Sequence, residues 1–137
     1  MIPQAPKNNQ QTWANMENYL RTLVTAGNEV YIIMGTYGVG GTGSNGYAAT
    51  INNGNITVPS HVWKVGLVIP NGNNDTARVD ANTRIISVLV PNQNNVNSNW
   101  KNYRTSVDAI EAVTGYDLLG RVKEDPETIV EAKVDNQ

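Results

Sequence analysis

The sequence has no cysteine and no phenylalanine, and it has one histidine in 137 residues. Without cysteine the chain forms neither disulfides nor thiolate metal sites, and one histidine cannot make a His–His metal site. Charged residues are 16% of the sequence, against a usual ~25%. The net charge is -2, so the composition gives no sign of the basic face that sequence-independent nucleic-acid binding usually requires.

Long apolar runs are missing too. The longest stretch without Asp, Glu, Lys or Arg, from Val30 to Trp63, is interrupted by glycines and asparagines, and no stretch approaches the ~20 apolar residues of a membrane span. We therefore expect no membrane partner. No basic segment followed by an apolar core opens the chain, so no signal peptide is expected and the localisation stays unknown. Twenty asparagines predict a neutral, loop-rich surface.

The length predicts a single domain over residues 1–137. A three- and four-residue spacing of apolar side chains predicts a helix from about Gln10, with Trp13, Met16 and Leu20 on its inner face. A second helix is expected over Val107–Thr114, capped by Ser106 and Gly115, and a third from Pro126 to Lys133.

Between these helices lie apolar runs rich in β-favouring residues, and the first, Val30–Met34, is predicted to be a buried strand. Further strands are expected at Ile56–Val58, Val62–Ile69, Arg84–Val90 and residues 103–105. Residues 35–46 hold six glycines and are predicted to be a long loop. The order of elements predicts an α+β fold, a mainly antiparallel sheet with flanking helices.

Two candidate sites in this region favour structural roles. Gly38, Gly40 and Gly43 form a G-x-G-x-x-G pattern, but no helical pattern follows. No acidic residue occurs between Gly43 and Asp75, which is against a dinucleotide site. His61 is interpreted as a strand-end residue with a structural hydrogen bond, although a general-base role is the alternative.

The carboxylates of Asp125, Glu127 and Glu131 near the C-terminus are also interpreted structurally. They resemble a solvated helix face, in which Glu127 and Glu131 repel each other mildly at i,i+4, and a metal site is the lesser alternative.

The first 21 residues are the most informative. Asn9 precedes the predicted helix, and Glu17 and Arg21 lie four apart in the order that favours an ion pair. Asn9 and Glu17 are eight residues apart, close to two helical turns, and so lie on roughly the same side. From these residues alone, a capped amphipathic helix with one ordinary salt bridge is the favoured interpretation.

A resemblance adds to this pattern. The order M-x-P-Q, Asn-Gln, Trp, Met-Glu and Arg resembles the C-terminal half of the DNA/RNA non-specific endonuclease family, the ββα-metal nucleases. The segments GNEVYIIMGTYG, ITVPSHVWKVGLVIP, TRIISVLVPNQ and WKNYRTSVDAIEAVTGYDLL resemble that family in the same order. The family's Asp-Arg-Gly-His block, which contains its general-base histidine, does not occur in the sequence.

The resemblance implies a metal-dependent hydrolysis of phosphodiester bonds, with DNA and RNA as substrates. Asn9 matches the asparagine that holds one Mg²⁺ (or Mn²⁺), Glu17 matches the acidic residue that orders metal-bound waters, and Arg21 matches an arginine near the scissile phosphate. The chain would then carry the helix half of a ββα-metal site. Family members are often secreted or periplasmic.

Without the Asp-Arg-Gly-His block, the chain is interpreted as truncated before the general base, and we expect it to be inactive alone. The alternative is a non-catalytic module that binds nucleic acid or protein on a nuclease scaffold. We also expect an open sheet edge around Val30–Met34, and hence self-association or pairing with a missing N-terminal half.

Overall fold

The computed structural model describes residues 2–120 and 124–137. A π-helical segment, Asn8–Trp13, runs directly into the helix α1, Ala14–Thr25. The strands are β1 Asn28–Tyr37, β2 Gly41–Gly43, β3 Gly46–Ala48, β4 Thr50–Ile51, β5 Ile56–Thr57, β6 His61–Pro70, β7 Arg84–Pro91 and β8 Arg104–Thr105. Two 3₁₀ turns, Asp75–Arg78 and Trp100–Tyr103, and two helices, α2 Val107–Thr114 and α3 Glu124–Glu131, complete the described elements.

The main sheet has the order β1-β6-β7-β8, and every pairing in it is antiparallel. β6 is buried on both faces because α1 covers one side and α2 and α3 cover the other. The core on the α1 side comprises Trp13, Met16, Leu20, Val62, Val68, Ile86, Val88, Val90, Val96 and Trp100. The core on the other side comprises Trp63, Val65, Leu67, Ile69, Val79, Ile85, Val107, Ile110, Leu119 and Val130. This arrangement confirms the predicted α+β class.

The strand predicted at Val30–Met34 is confirmed as part of β1, but the prediction that it is buried was wrong. In the described part of the chain, β1 pairs with β6 alone and forms the edge of the sheet. Tyr31, Ile32, Ile33 and Met34 are 38–49% exposed. The apolar run suggested burial because composition alone cannot tell a central strand from an edge strand whose faces lack a covering layer.

The glycine-rich stretch also differs from the prediction of a continuous loop. β1 extends to Tyr37, and residues 41–48 form a short hairpin of β2 and β3. A second hairpin, β4 with β5, turns at Asn52 and Asn53, whose φ angles of 54° and 57° suit asparagine. Gly35 allows the Trp63 ring to pack against β1, because a Cβ there would lie 2.6 Å from Cζ2 of that ring.

Several local predictions are confirmed. α2 begins and ends where predicted: the Ser106 side chain accepts a hydrogen bond from the Ala109 N–H, and Gly115 adopts φ 77°. β7 and β8 lie within one or two residues of their predicted bounds. α3 begins two residues before the predicted Pro126, and the first helical segment begins before Gln10. None of the helices in the described ranges is long and apolar enough to cross a membrane.

Candidate functional site

Asn9, Glu17 and Arg21 all lie on the continuous helical element formed by the π-helical segment and α1. Asn9 and Arg21 are exposed, and the Glu17 side chain is 42% exposed. All three side chains can therefore reach a ligand in solution. The predicted Glu17–Arg21 ion pair is not formed: Arg21 Nη1 donates to Asn18 Oδ1 at 3.3 Å, and the Glu17 carboxylate pairs with Lys64.

The π-helical segment changes the relative orientation of Asn9 and Glu17. In an α-helix, with 3.6 residues per turn, eight residues exceed two full turns by about 80°. A π-helical turn contains more residues than an α turn, since its hydrogen bonds join i to i+5, so each residue rotates the chain less. Because the segment covers the first half of this interval, it reduces the excess rotation and brings Asn9 closer to the face of Glu17.

The asparagine-rich stretch 92–99 anchors the start of this helical element. Asn92, 1% exposed, accepts from the Ala5 N–H at 2.7 Å and donates to the carbonyls of Pro3 and Pro59, both at 2.9 Å. Further bonds join Lys7 N to Asn94 Oδ1, Thr12 Oγ1 to the Asn97 carbonyl and Asn15 Nδ2 to the Ser98 carbonyl. The stretch thus fixes residues 3–15 against the end of β7.

Asn8, beside Asn9, is fully buried, and neither its amide oxygen nor its amide nitrogen has a hydrogen-bond partner among the described residues. The two neighbouring asparagines therefore differ sharply: Asn9 faces solvent, whereas Asn8 faces the interior. Of the two, only Asn9 is accessible to an ion in solution.

Lys64 is a site residue that the sequence analysis missed. It lies in the centre of β6, facing α1, and its side chain is 1% exposed. Its Nζ is 3.4 Å from Glu17 Oε1 and 4.2 Å from the centre of the Trp13 ring. Burial lowers the pKa of the Lys64 ammonium, and the Glu17 carboxylate partly opposes that shift. The available signal was a single lysine within the apolar run VWKVGLVI, at a position where both faces of the strand are buried.

His61 lies at the start of β6, as the interpretation of a strand-end residue implies. Its Nδ1 is 2.9 Å from the Ser60 hydroxyl, and its ring lies 5.8 Å from that of Tyr37. Partial burial lowers its pKa, which favours the neutral ring. These contacts favour a structural role for His61.

The C-terminal carboxylates differ from the solvated helix face that we expected. A carboxylate oxygen of Glu131 lies within 4.8 Å of oxygens of Asp108 and Glu111, and one also lies within 4.8 Å of oxygens of Asp117 and Glu127. Burial and these four acidic neighbours raise the pKa of Glu131 to about 7. A proton on Glu131 thus relieves the repulsion. The side chain of Asp125, part of the same expectation, lies outside what the structure describes.

Comparisons with known proteins agree with this fold and sequence pattern. The profile of the DNA/RNA non-specific endonuclease family matches residues 1–125. A nuclease of Nostoc sp. is 40% identical over 136 residues, which are 99% of this chain and 47% of that protein. Nuclease C1 of Cunninghamella echinulata var. echinulata is 30% identical over 81% of this chain and 44% of its own length.

A chain in the crystal structure of the EndoG/EndoGI complex shares the fold. It superposes with a TM-score of 0.64 over 90% of this chain and 49% of its own length, at 20% identity. The family profile over residues 1–125 shows that the chain belongs to the DNA/RNA non-specific endonuclease family. The chain spans about half the length of the curated relatives it matches.

Proposed function

We propose that this chain forms the metal-site half of a sugar-non-specific endonuclease, which hydrolyses phosphodiester bonds in DNA and RNA. The observation that supports this most directly is the joint placement of Asn9, Glu17 and Arg21 on one helical element in a chain of this family. Contacts to phosphate and sugar carry no base information directly, so such a site suits substrates of any sequence.

The donors present suit a hard divalent cation. Asn9 offers an exposed amide oxygen, and the half-exposed carboxylate of Glu17 follows two turns later. Mg²⁺ is bound by oxygen ligands and often keeps several waters while using few protein groups. We assign Asn9 as the side chain that holds Mg²⁺ or Mn²⁺. A cation held there would supply polarisation of the phosphodiester and stabilisation of the leaving 3′ oxygen.

The other two residues act around this ion. Glu17 accepts hydrogen bonds from the waters of the ion and orients them, a role on which metal affinity and activity commonly depend. The exposed Arg21 guanidinium lies one α-helical turn further along and offsets the negative charge that develops on the phosphate. Its present partner is the neutral Asn18, so no described salt bridge has to break before Arg21 binds phosphate.

A general base is missing from this arrangement. The chain has no Asp-Arg-Gly-His block, and its only histidine, His61, is partly buried and contacts Ser60. We propose that the base lies in the part of the full protein that corresponds to the unmatched half of the relatives. The same half would complete the sheet at β1, whose apolar side chains are exposed. On this proposal the chain by itself has little or no activity.

Cleavage of plasmid DNA and of RNA by the purified chain, with Mg²⁺ and with Mn²⁺, tests the proposal. Loss of a general base typically costs ~10²–10⁴-fold in rate, so we expect turnover lower than that of intact relatives by at least that factor. Addition of the unmatched half should restore cleavage. Turnover near that of intact relatives would contradict the proposal and make His61 the candidate base.

The alternative is a non-catalytic module that binds nucleic acid or protein, and the missing Asp-Arg-Gly-His block favours it. The two functions differ in the restored protein. A nuclease half regains cleavage when the unmatched half is supplied, whereas a binding module retains nucleic acid or protein without cleaving it.

A further inference from the structure

Lys64 is the one charged residue in the buried run from Val62 to Ile69 at the centre of the sheet. Burying an ammonium is costly, and Lys64 recovers that cost through one carboxylate oxygen and one aromatic face, those of Glu17 and Trp13. Replacing a buried ion pair by apolar groups of similar size is often neutral or stabilising. Stability alone therefore does not account for a lysine at this position.

The pair is asymmetric in its exposure. The Lys64 side chain is 1% exposed, whereas that of Glu17 is 42% exposed. Lys64 is rigidly packed, because its backbone lies in the central strand and its side chain lies under α1 against the Trp13 ring. Glu17 is at the surface and, without a partner, would move among several rotamers. The ammonium thus holds one carboxylate oxygen at a fixed point, and much of the Glu17 side chain stays in solvent.

The surface around this pair is a groove that also contains Arg21. Glu17, Leu20, Arg21 and Lys64 line it, together with Val30, Ile32 and Met34 of β1. Lys64 forms its floor, since its ammonium is the buried end of the pair. A group that orients waters for a cation at Asn9 must itself be held in place, because a misplaced carboxylate loses alignment with those waters.

We infer that Lys64 is a positioning residue for the Glu17 carboxylate, and that it determines divalent-cation affinity through Glu17. The inference rests on the proposed function, in which Glu17 orders the waters of a cation at Asn9. If Lys64 acted only through its charge, removing it would strengthen cation binding, because a nearby positive charge repels a cation. If Lys64 positions Glu17, removing it weakens cation binding. The direction of the change on removing Lys64 therefore separates positioning from charge.

The test is a Mn²⁺ titration of the full chain, followed by electron paramagnetic resonance, with the variants Lys64→Met, Glu17→Gln and the double variant. Methionine has a similar length and fits the apolar contacts of the lysine stem. Loss of an outer partner typically costs 10–100-fold in metal affinity, so we expect Lys64→Met to weaken Mn²⁺ binding by about 10-fold. In the Glu17→Gln background, Lys64→Met should change Mn²⁺ affinity by less than about 2-fold. Lys64 acts through the Glu17 carboxylate on this inference, so its removal has little effect once that carboxylate is gone.

Lys101→Met is the matched control, because it removes the same charge from a half-buried lysine whose ammonium lies near the rings of Tyr19 and Trp100. We expect Mn²⁺ affinity to be unchanged or slightly higher in this control. The urea midpoint of Lys64→Met should equal or exceed that of the wild type, since the buried charge is gone. A lower midpoint together with unaltered Mn²⁺ affinity would show a structural role and overturn the inference, as would tighter Mn²⁺ binding or equal weakening in both backgrounds.

Absence of Mn²⁺ binding by the wild-type chain would contradict the proposed metal site instead. The ¹⁵N resonance of the Lys64 ammonium would then test whether Lys64 pairs with Glu17. A shift of that resonance on Glu17→Gln, with none for Lys101, would retain Lys64 as the partner that positions Glu17. An unchanged resonance would overturn the inference.

Discussion

At the scale of single residues, the difference between Asn8 and Asn9 has a direct consequence. The two carboxamides are adjacent, but one is fully buried and the other is exposed. Exposure therefore distinguishes Asn9 from Asn8 as a candidate metal ligand, a distinction that residue type alone does not make. The same exposure makes Asn9 a side chain that can be replaced without disturbing the core.

We predict that crystals soaked in Mn²⁺ show an anomalous peak at the Asn9 amide oxygen, because Asn9 is exposed and offers the oxygen ligand that the proposed site requires. Asn9→Ala should abolish the peak and leave unfolding unchanged within about 0.5 kcal/mol, as for most surface substitutions. Gln11→Ala, which removes another exposed carboxamide of the same segment, should retain the peak. A peak at Asp117, Glu127 or Glu131, with none at Asn9, would contradict this assignment.

Glu131 gives a pH-dependent prediction. Its pKa is raised to about 7 in the folded chain from 4.5, so the folded state binds a proton more tightly than the unfolded state does. Its contribution to stability is full below pH 4.5 and is lost as the pH rises through about 7. We predict that Glu131→Gln, which cannot ionise, stabilises the chain at pH 8 by about 1 kcal/mol after allowing for solvent screening, but not at pH 4.

Urea unfolding of both proteins at the two pH values measures this difference. The measurement at pH 4 is the internal control, because both side chains are then neutral. An equal gain at pH 4 and pH 8 would show that the substitution acts through packing, and no gain at either pH would show that the acidic cluster is well solvated.

At the scale of elements, residues 92–99 hold the N-terminal helical element in place through hydrogen bonds. Asn92 satisfies three backbone groups of two separate segments, and its neighbours hold Lys7, Thr12 and Asn15. The orientation of the candidate metal ligand thus depends on side chains more than 80 residues away in sequence.

We predict that Asn92→Leu destabilises the chain by about 3 kcal/mol, because a buried donor and two carbonyls lose their partner and each unsatisfied group costs about 1–3 kcal/mol. The matched variant Asn95→Leu alters an exposed asparagine of the same stretch and should stay within about 0.5 kcal/mol of the wild type. Urea unfolding measures both. Equal small effects would show that water replaces Asn92 at these groups.

The sequence predicts those elements that depend on local interactions. α2 is defined by the Ser106 cap and by Gly115, and both signals lie within a few residues of the helix. The edge position of β1 depends on which strand lies beside it, and the apolar run at residues 30–34 contains no information about that neighbour. The pairing of Lys64 with Glu17 spans 47 residues and requires both the sheet register and the orientation of α1. Periodicity identifies each element but not these relations between them.

At the scale of the whole molecule, the exposed apolar side chains of β1 favour association with other chains. Its side chains are apolar toward both faces, and in the described part of the chain the strand pairs only with β6. An unpaired, apolar edge favours pairing with another chain, and the low charge gives little protection against it. In the full protein we propose that the half unmatched here covers this edge.

We predict that the isolated chain self-associates with rising concentration, as measured by light scattering. Ile33→Lys should shift it toward monomer, because a lysine on an edge strand opposes edge-to-edge pairing. Val39→Lys, which adds the same charge at a 61% exposed position beyond the end of β1, should not. A monomer at high concentration with cooperative unfolding would show that the edge is tolerated in an independent domain.

The π-helical segment has a consequence for the spacing between Asn9 and Glu17, because the number of residues that separates two aligned side chains depends on the type of helix between them. Seven residues of a regular α-helix fall about 20° short of two turns, whereas eight exceed two turns by about 80°. A carboxamide and a carboxylate seven apart would therefore align on an ordinary helix, but a spacing of eight needs the wider winding seen over Asn8–Trp13. Deletion of Gln10 or Gln11 would reduce the spacing between Asn9 and Glu17 to seven residues. The segment should then become a regular α-helix and keep Asn9 facing Glu17, so the chain should tolerate the loss of one residue within the π-helical segment.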